Sequence, residues 1–222
     1  MKRCEDSVEL EDCPESVYQE AHATGVYRLR GSITSKSCME ASQFIFTESM
    51  RGAHASVCLV IDSDGGDVNA AFSLIAFIRS SVIPVNCVAV GSCASAALFI
   101  AMACETRVID ENCAVLSHQY SADFGDGKHL DLMARANDLK MTAGRIEQLY
   151  VRESKQTLKY VRKNLLRADD VFMNAQSAVD HGMFDGMLHD NIDVLYNNFI
   201  AELEENHPKV VTLNENVLDK SV

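Results

Sequence analysis

The chain has 222 residues, of which 47% are hydrophobic, and a formal net charge of −12. This length and composition fit one folded unit with a sizeable core, and they exclude a disordered chain. The acidic charge argues against nonspecific binding to nucleic acid or anionic lipid, so we expect neither as a partner. The apolar stretches are too short to span a bilayer, and we expect no secretory signal.

Predicted strands and helices alternate along the chain. The strands lie at 25–29, 57–62, 85–90, 107–109 and 114–117. The helices lie at 35–50, 69–80, 95–104, 130–153, 157–165 and 174–182. This alternation indicates an α/β fold with a parallel sheet and crossover helices. In such a fold the active centre lies at the carboxyl ends of the strands.

The turn between the strand at 85–90 and the helix at 95–104 is the first candidate site. Small residues surround Ser95 within 91–97, so a substrate backbone can approach its hydroxyl closely. The start of the following helix supplies free N–H groups and the positive end of a dipole. These features are typical of a nucleophilic serine. Such junctions are also common in proteins without a catalytic serine, so this turn alone leaves a purely structural role open.

Two later segments carry the other groups that acyl transfer requires. His118 follows the short strand at 114–117, and the acids Asp169 and Asp170 precede the helix at 174–182. In a serine peptidase the serine attacks, a histidine takes and returns the proton, and a carboxylate fixes the imidazole tautomer. Asp169 competes with Asp170 for the third role. Cys93 lies just before Ser95 and is a rival nucleophile.

Residues 25–190 resemble the proteolytic-subunit family of the ATP-dependent Clp protease (ClpP), which are self-compartmentalising serine peptidases. The matching segments are Gly65-Gly66 after a strand, Ser95 in its small-residue turn, His118-Gln119, Asp170-Val171-Phe172-Met173 with Ala175, and Gly182-Met183-Phe184-Asp185. The spacing of these segments also fits the family. The resemblance implies an α/β fold of the ClpP/crotonase-like class, in which repeated β-β-α units form a superhelix and a handle helix protrudes.

The resemblance assigns roles to five residues. It implies Ser95 as nucleophile, His118 as general base and acid, Asp170 as orienting carboxylate, and the backbone N–H groups of Gly66 and Ala96 as oxyanion-hole donors. Elementary chemistry agrees for both donors. A glycine beside a second glycine can aim its N–H into a cleft, and the N–H after the nucleophile is the usual second donor. We expect no metal and no cofactor, because no cluster of ligands has zinc spacing.

The resemblance also implies an assembly and partners. The long helix at 130–153 matches the handle helix through which two seven-membered rings stack, so we expect a homo-oligomer of stacked heptameric rings. An AAA+ unfoldase is a candidate partner, and polypeptides are the expected substrates. Residues 121–127 resemble the short strand and glycine loop against which a substrate peptide pairs. Such pairing uses backbone hydrogen bonds and is nearly blind to side chains.

Several positions depart from the family's pattern. Asp64 stands where the family has a proline before the two glycines, and Tyr120 stands where it has a proline after the His-Gln pair. We expect both loops to be less rigid as a result. Cys58 and Val60 replace aromatics of the cleft that docks the unfoldase, and the segment before Gly25 lacks the family's usual sequence. These changes weigh against an unfoldase as partner.

Cysteines and histidines outside the candidate site are expected to be structural. The eight cysteines are scattered, form no CxxC pair and lie mostly in apolar runs, which favours free thiols in a reducing compartment and a cytoplasmic protein. The remaining histidines share polar or loop contexts, and we expect them at the surface. They are His22, His54, His129, His181, His189 and His207.

The chain divides into three predicted parts. A divergent N-terminal segment spans 1–24, a catalytic domain spans 25–190, and a C-terminal extension spans 191–222. Within the extension, Ile192, Leu195, Phe199 and Leu203 recur at helical spacing and predict an amphipathic helix over 191–205. A polar tail follows this helix.

We therefore predict a cytoplasmic serine endopeptidase that cleaves unfolded polypeptides inside a ring-shaped oligomer. Three alternatives stay open. The first is a non-proteolytic ring subunit or scaffold. The second is a crotonase-like acyl-CoA enzyme, although the chain lacks an evident basic patch for the phosphates of CoA. The third is a dedicated processing protease, viral for example, that works without an unfoldase.

Overall fold

The computed structural model describes residues 21–122 and 125–188. The strands are β1 (Val26–Arg30), β2 (Val57–Ser63), β3 (Val85–Ala94), β4 (Arg107–Ile109), β5 (Ala114–Ser117), β6 (Val171–Met173) and β7 (Gly186–Met187). The helices are α1 (Ser35–Arg51), α2 (Val68–Ser80), α3 (Ala96–Met102), α4 (His129–Ser154), α5 (Leu158–Asn164) and α6 (Ala175–Asp180). The predicted helix over 191–205 lies outside the described residues, as do residues 1–20. Within the described ranges, no helix is both long and apolar enough to cross a membrane.

The strands form one sheet, in which β1, β2, β3, β4 and β7 are successive parallel neighbours. The central strand β3 has two partners on one edge. Its first half pairs with β4 from Cys87 to Ala89, and its second half pairs with β5 from Ser92 to Ala94. The strand therefore continues to Ala94, beyond the predicted end at 90, because β5 gives its second half a partner. β6 then pairs antiparallel with β5.

The helices that flank β2 and β3 begin at well-defined positions. Thr34 and Ser37 form a capping box before α1, and the Asp67 carboxylate accepts two backbone N–H bonds before α2. All seven residues of α3 are buried. A helix that is apolar on all sides belongs in the centre of a core. Because α3 is packed on all sides, it holds the backbone of Ser95, the residue immediately before it, in a fixed position.

The long helix α4 is buried only in its second half. Its buried residues are Thr142, Ile146, Leu149, Tyr150 and Ser154. In the first half, the side chains of Leu130 and Met133 are 77% and 53% exposed. Residues 129–138 are exposed on every side of the helix. The first half thus presents unpartnered apolar side chains, as the resemblance implies for a protruding handle helix.

Three short segments differ from the sequence prediction. Strands β6 and β7, of three and two residues, were not among the strands predicted from the sequence. Residues 121–127 were compared with a substrate-pairing strand, but 121–122 and 125–127 form no strand. The remaining residues, 123 and 124, lie outside the described part of the chain.

One carboxylate is fully buried at the C-terminal end of α1. The Oε1 atom of Glu48 lies 2.6 Å from Nδ1 of His22 and 3.2 Å from Nη1 of Arg51, and its Oε2 atom lies 3.4 Å from Nε2 of His54. The prediction that His54 lies at the surface is wrong, because its side chain is buried beside this carboxylate. Buried carboxylates need such partners.

Candidate active site

Ser95 lies on a strained turn between β3 and α3. Its backbone angles are φ 51° and ψ −121°, and Ser95 and Lys155 are the two non-glycine residues with positive φ among those described. Such a conformation persists only where the surroundings impose it. Here the N–H of Ser95 donates to the carbonyl of Leu116 in β5 at 2.9 Å, and the buried α3 follows directly. The turn therefore presents the hydroxyl at the carboxyl edge of the sheet, as a nucleophilic serine requires.

His118 reaches this hydroxyl from the end of β5. Because β5 pairs with the second half of β3, the two strands end side by side. The Nε2 atom of His118 lies 2.8 Å from Oγ of Ser95, and its Nδ1 atom lies 2.6 Å from the carbonyl oxygen of Gln119. A carbonyl only accepts, so Nδ1 carries the proton and Nε2 accepts from the serine hydroxyl. This is the tautomer that a general base needs.

The acids Asp169 and Asp170 do not bond to His118 in this structure. The Gln119 carbonyl accepts the hydrogen bond from Nδ1–H that was predicted to go to Asp170. Asp170 is exposed just before β6, and Asp169 forms a two-point ion pair with Arg167 at 3.0 and 2.6 Å. The structure thus differs from the predicted triad at its third member, because the imidazole already bonds to the backbone carbonyl of the next residue, Gln119.

Gly65 and Gly66 form a loop that packs against the Ser95 turn. Their φ values are +99° and +151°, which favour glycine. A Cβ at Gly65 would lie 2.8 Å from both the carbonyl oxygen of Ala94 and the Cβ of Ser95, and one at Gly66 would overlap the carbonyl of Ile33. The resemblance assigned a functional role to Gly66 and none to Gly65. The contact between Gly65 and the turn was missed, because a pair of glycines does not reveal what it packs against.

The two predicted oxyanion donors lie on either side of this contact. Ile33 and Gly66 form an isolated parallel β-bridge, in which the N–H of Ile33 donates to the carbonyl of Gly65 and the N–H of Asp67 donates to the carbonyl of Ile33. The N–H of Gly66 takes no part in these two bonds. Ala96 is the first residue of α3, where N–H groups lack a partner within the helix. The arrangement has the donor types from which an oxyanion hole is built.

Hydrogen bonds hold the loop in which Asp64 replaces the family's proline. The hydroxyl of Ser92 donates to Oδ1 of Asp64 at 2.6 Å, and the N–H of Gly65 donates to Oγ of Ser63 at 3.1 Å. The expected loss of rigidity is therefore offset here by side-chain bonds. Tyr120, at the second replaced proline, packs its half-buried ring on the core.

Cys93 is not placed to act as a nucleophile. Its side chain is fully buried, and burial raises the pKa of its thiol well above the ordinary value. A protonated, inaccessible thiol is unreactive. Within residues 21–122 and 125–188, no group of three or more His, Cys, Asp or Glu side chains could hold a metal ion.

A cleft lies beside the segment that carries His118. Its volume is about 310 Å³, and its lining includes Gln119, Tyr120, Ile146 and Leu166. An ion pair between Glu147 and Arg162, with an N–O distance of 2.6 Å, forms part of the wall. Because the lining mixes apolar residues with this charged pair, the cleft can accept a polypeptide side chain and part of its backbone.

Comparison with known proteins identifies the relatives of this site. A sequence model of the family described as Clp protease matches residues 13–191. The ATP-dependent Clp protease proteolytic subunit 1 of Chlamydia muridarum (strain MoPn / Nigg) is 29% identical over 159 residues, which cover 70% of this chain and 82% of the relative. The protein of the same name from Chlamydia pneumoniae has the same identity and coverage. The family match spans every element that carries the candidate site.

Proposed function

The chain belongs to the Clp protease family and is a serine-type peptidase, and we propose that Ser95 is its nucleophile and His118 its general base and acid. One observation carries this proposal. The Ser95 hydroxyl lies 2.8 Å from Nε2 of an imidazole whose Nδ1 proton is held by a carbonyl. The pair lies where a strained strand–helix turn exposes the serine.

The proposed reaction proceeds through an acyl-enzyme. As Oγ of Ser95 attacks the scissile carbonyl, its proton passes to Nε2 of His118. The N–H groups of Gly66 and Ala96 donate to the oxyanion that forms. The tetrahedral intermediate collapses when Nε2 returns the proton to the leaving amine, which breaks the C–N bond. Water then attacks the ester with His118 again as base, which releases the carboxylate product and restores the serine.

We propose Asp170 as the carboxylate that stabilises the imidazolium. The antiparallel register of β5 and β6 pairs Val115 with Met173, Leu116 with Phe172 and Ser117 with Val171. The next position in this register is His118 opposite Asp170. Side chains at opposed antiparallel positions lie on one face, with Cβ atoms about 5 Å apart. The imidazole can therefore exchange its bond to the Gln119 carbonyl for one to Asp170 without a change of fold.

The proposal extends to the substrate and the assembly. Unfolded polypeptides enter as extended chains, and a side chain of the substrate occupies the cleft lined by Ile146 and Leu166. The exposed first half of α4 is the surface through which subunits stack into a homo-oligomer of two heptameric rings. An AAA+ unfoldase is the candidate partner by analogy with the ATP-dependent relatives, although Cys58 and Val60 stand where the family has the aromatics of its docking cleft. The catalytic domain spans 25–190 and works in the cytoplasm, where its free thiols stay reduced.

Active-site labelling of the sized assembly tests the proposal. The purified protein, Ser95→Ala and His118→Ala are incubated with a fluorescent serine-directed phosphonate and separated on a sizing column. We expect label in a large assembly of the unaltered protein and none in either variant. A large assembly that never takes label would overturn the proposal in favour of a non-proteolytic ring subunit. Label on Ser95→Ala would assign the nucleophile elsewhere.

Asp170→Asn separates the triad from a dyad. If Asp170 stabilises the imidazolium, kcat should fall by about 10⁴-fold, as it does when a triad aspartate becomes asparagine. Asp169→Asn is the matched control, since this neighbour is paired with Arg167 and should keep its rate. A wild-type kcat in Asp170→Asn would leave the Gln119 carbonyl as the sole partner of Nδ1.

A further inference from the structure

We propose that Tyr150 is a positioning residue that holds His118 within reach of Ser95. The inference rests on the proposed roles of these two side chains. Tyr150 forms no hydrogen bond with either Ser95 or His118. It acts through Ser117, the residue that immediately precedes His118. None of the motifs by which the chain resembles its family contains Tyr150 or Ser117.

A buried chain of hydrogen bonds links Tyr150 to the backbone beside His118. The hydroxyl of Ser117 donates to the carbonyl oxygen of Leu165 at 2.7 Å, and it lies 2.7 Å from the hydroxyl of Tyr150. A serine hydroxyl has one proton, so Tyr150 must be the donor to Ser117. Burial raises the pKa of Tyr150, which keeps this donor protonated.

The position of Tyr150 joins the elements that carry both reacting side chains. Its ring is fully buried and packs edge-on against Phe99 of α3, with ring centroids 5.9 Å apart. α3 begins directly after Ser95, and β5 ends directly before His118. One side chain of α4 therefore contacts the serine-bearing helix through its ring and the histidine-bearing strand through its hydroxyl.

The other side of His118 is held by a separate bond. The side chain of Gln119 donates from Nε2 to the carbonyl oxygen of Leu166 at 3.0 Å. The residues on either side of His118 are thus both bonded to the segment that follows α5. Ser117 bonds to Leu165, and Gln119 bonds to Leu166. Of these two bonds, the one through Ser117 is buried, and the hydroxyl of Tyr150 helps to fix it. A buried hydroxyl needs a partner, so the bond from Tyr150 holds the Ser117 side chain in a single orientation.

The test compares two tyrosines that each lose one hydroxyl. Tyr150→Phe keeps the ring contact with Phe99 and removes the bond to Ser117. Tyr160→Phe is the matched control, since its hydroxyl bonds to Nδ1 of His181 at the same 2.7 Å but has no link to His118. For Tyr150→Phe we expect kcat on a fluorogenic peptide to fall by about tenfold, with KM within about twofold of wild type, because misplacement of a catalytic group affects the transition state. Tyr160→Phe should keep both constants.

Ser117→Ala and the double variant complete a cycle. Because Tyr150 acts through Ser117, the second substitution should add little to the first, and the effects on kcat should be far from additive. Ser117→Ala alone also decides the matter if Tyr150→Phe fails to assemble. A wild-type kcat in an assembled single variant, additive effects, or an equal loss in Tyr160→Phe would each overturn the positioning role. Turnover that survives Ser95→Ala would instead overturn the proposed function on which it rests.

Discussion

Replacement of Gly65 by alanine tests how tightly the Ser95 turn is built. A Cβ at this position would lie 2.8 Å from the carbonyl oxygen of Ala94 and 2.8 Å from the Cβ of Ser95. Non-bonded carbon atoms ordinarily keep about 3.5 Å or more, so the added methyl group must displace the turn by about 0.7 Å. The neighbouring atoms belong to the backbone and to Cβ, so no flexible side chain can absorb the shift.

Two penalties add to give the expected loss of stability. Forcing an extra carbon into a packed site costs about 1–3 kcal/mol. A side chain at a left-handed position, here φ +99°, costs about 1–2 kcal/mol. We expect the free energy of unfolding to fall by about 2–5 kcal/mol in total. The displaced nucleophile matters more, since a misplacement near 1 Å costs about 100-fold in rate. Acylation by the phosphonate should therefore slow by about 10- to 100-fold.

Gly52→Ala is the control for backbone strain alone. Gly52 also has a left-handed φ, +61°, but an added Cβ there meets nothing within 4 Å. This variant should lose about 1–2 kcal/mol and keep the wild-type acylation rate. Stopped-flow labelling and urea unfolding measure the two quantities. A folded Gly65→Ala protein that acylates at the wild-type rate would refute the argument that this contact fixes the nucleophile.

Three further outcomes are expected. Because burial raises the pKa of the Cys93 thiol, iodoacetamide at pH 9 should leave Cys93 unmodified in the native protein, and mass spectrometry that finds it alkylated would contradict its burial. Asp185→Asn should lower the free energy of unfolding by about 1–3 kcal/mol, because it removes the charge that pairs with the buried guanidinium of Arg107. Asp185 is itself half exposed, which limits the loss. An unchanged urea midpoint would count against this expectation. Ser92→Ala should slow acylation a few-fold by releasing Asp64 beside the glycine pair, whereas an unchanged rate would show that the loop does not depend on this bond.

The sequence could predict the meeting of Ser95 and His118 because both residues follow strands. Parallel strands of an α/β fold end at one edge, and the motifs marked which residues lie there. The side chains do lie 2.8 Å apart. The bounds of α1, α2 and α4 were also close, since long periodic segments and capping residues such as Thr34 carry local signals.

Contacts between distant polar residues could not be predicted in this way. Ser117 reads as part of a short apolar strand, and its partner Tyr150 lies 33 residues later. The partner of His22, Glu48, lies 26 residues away on a helix whose periodicity does not mark it as buried. The bond from Nδ1 of His118 to its neighbour's carbonyl depends on a side-chain rotation. Such features follow from tertiary packing, and the local pattern carries no record of it.

The backbone conformation of Ser95 lowers the stability of the fold but suits the proposed nucleophile. At φ 51° and ψ −121° a residue with a side chain bears strain of about 1–3 kcal/mol, which glycine would not. Substitution by glycine would therefore relax the turn, with a net gain of about 0–2.5 kcal/mol after the entropic cost of glycine, about 0.5–1 kcal/mol. A stabilising substitution of this kind at position 95 would thus remove the nucleophile. A lineage that used the fold only as a scaffold would have no reason to keep the strained serine, whereas selection for peptide cleavage would retain it.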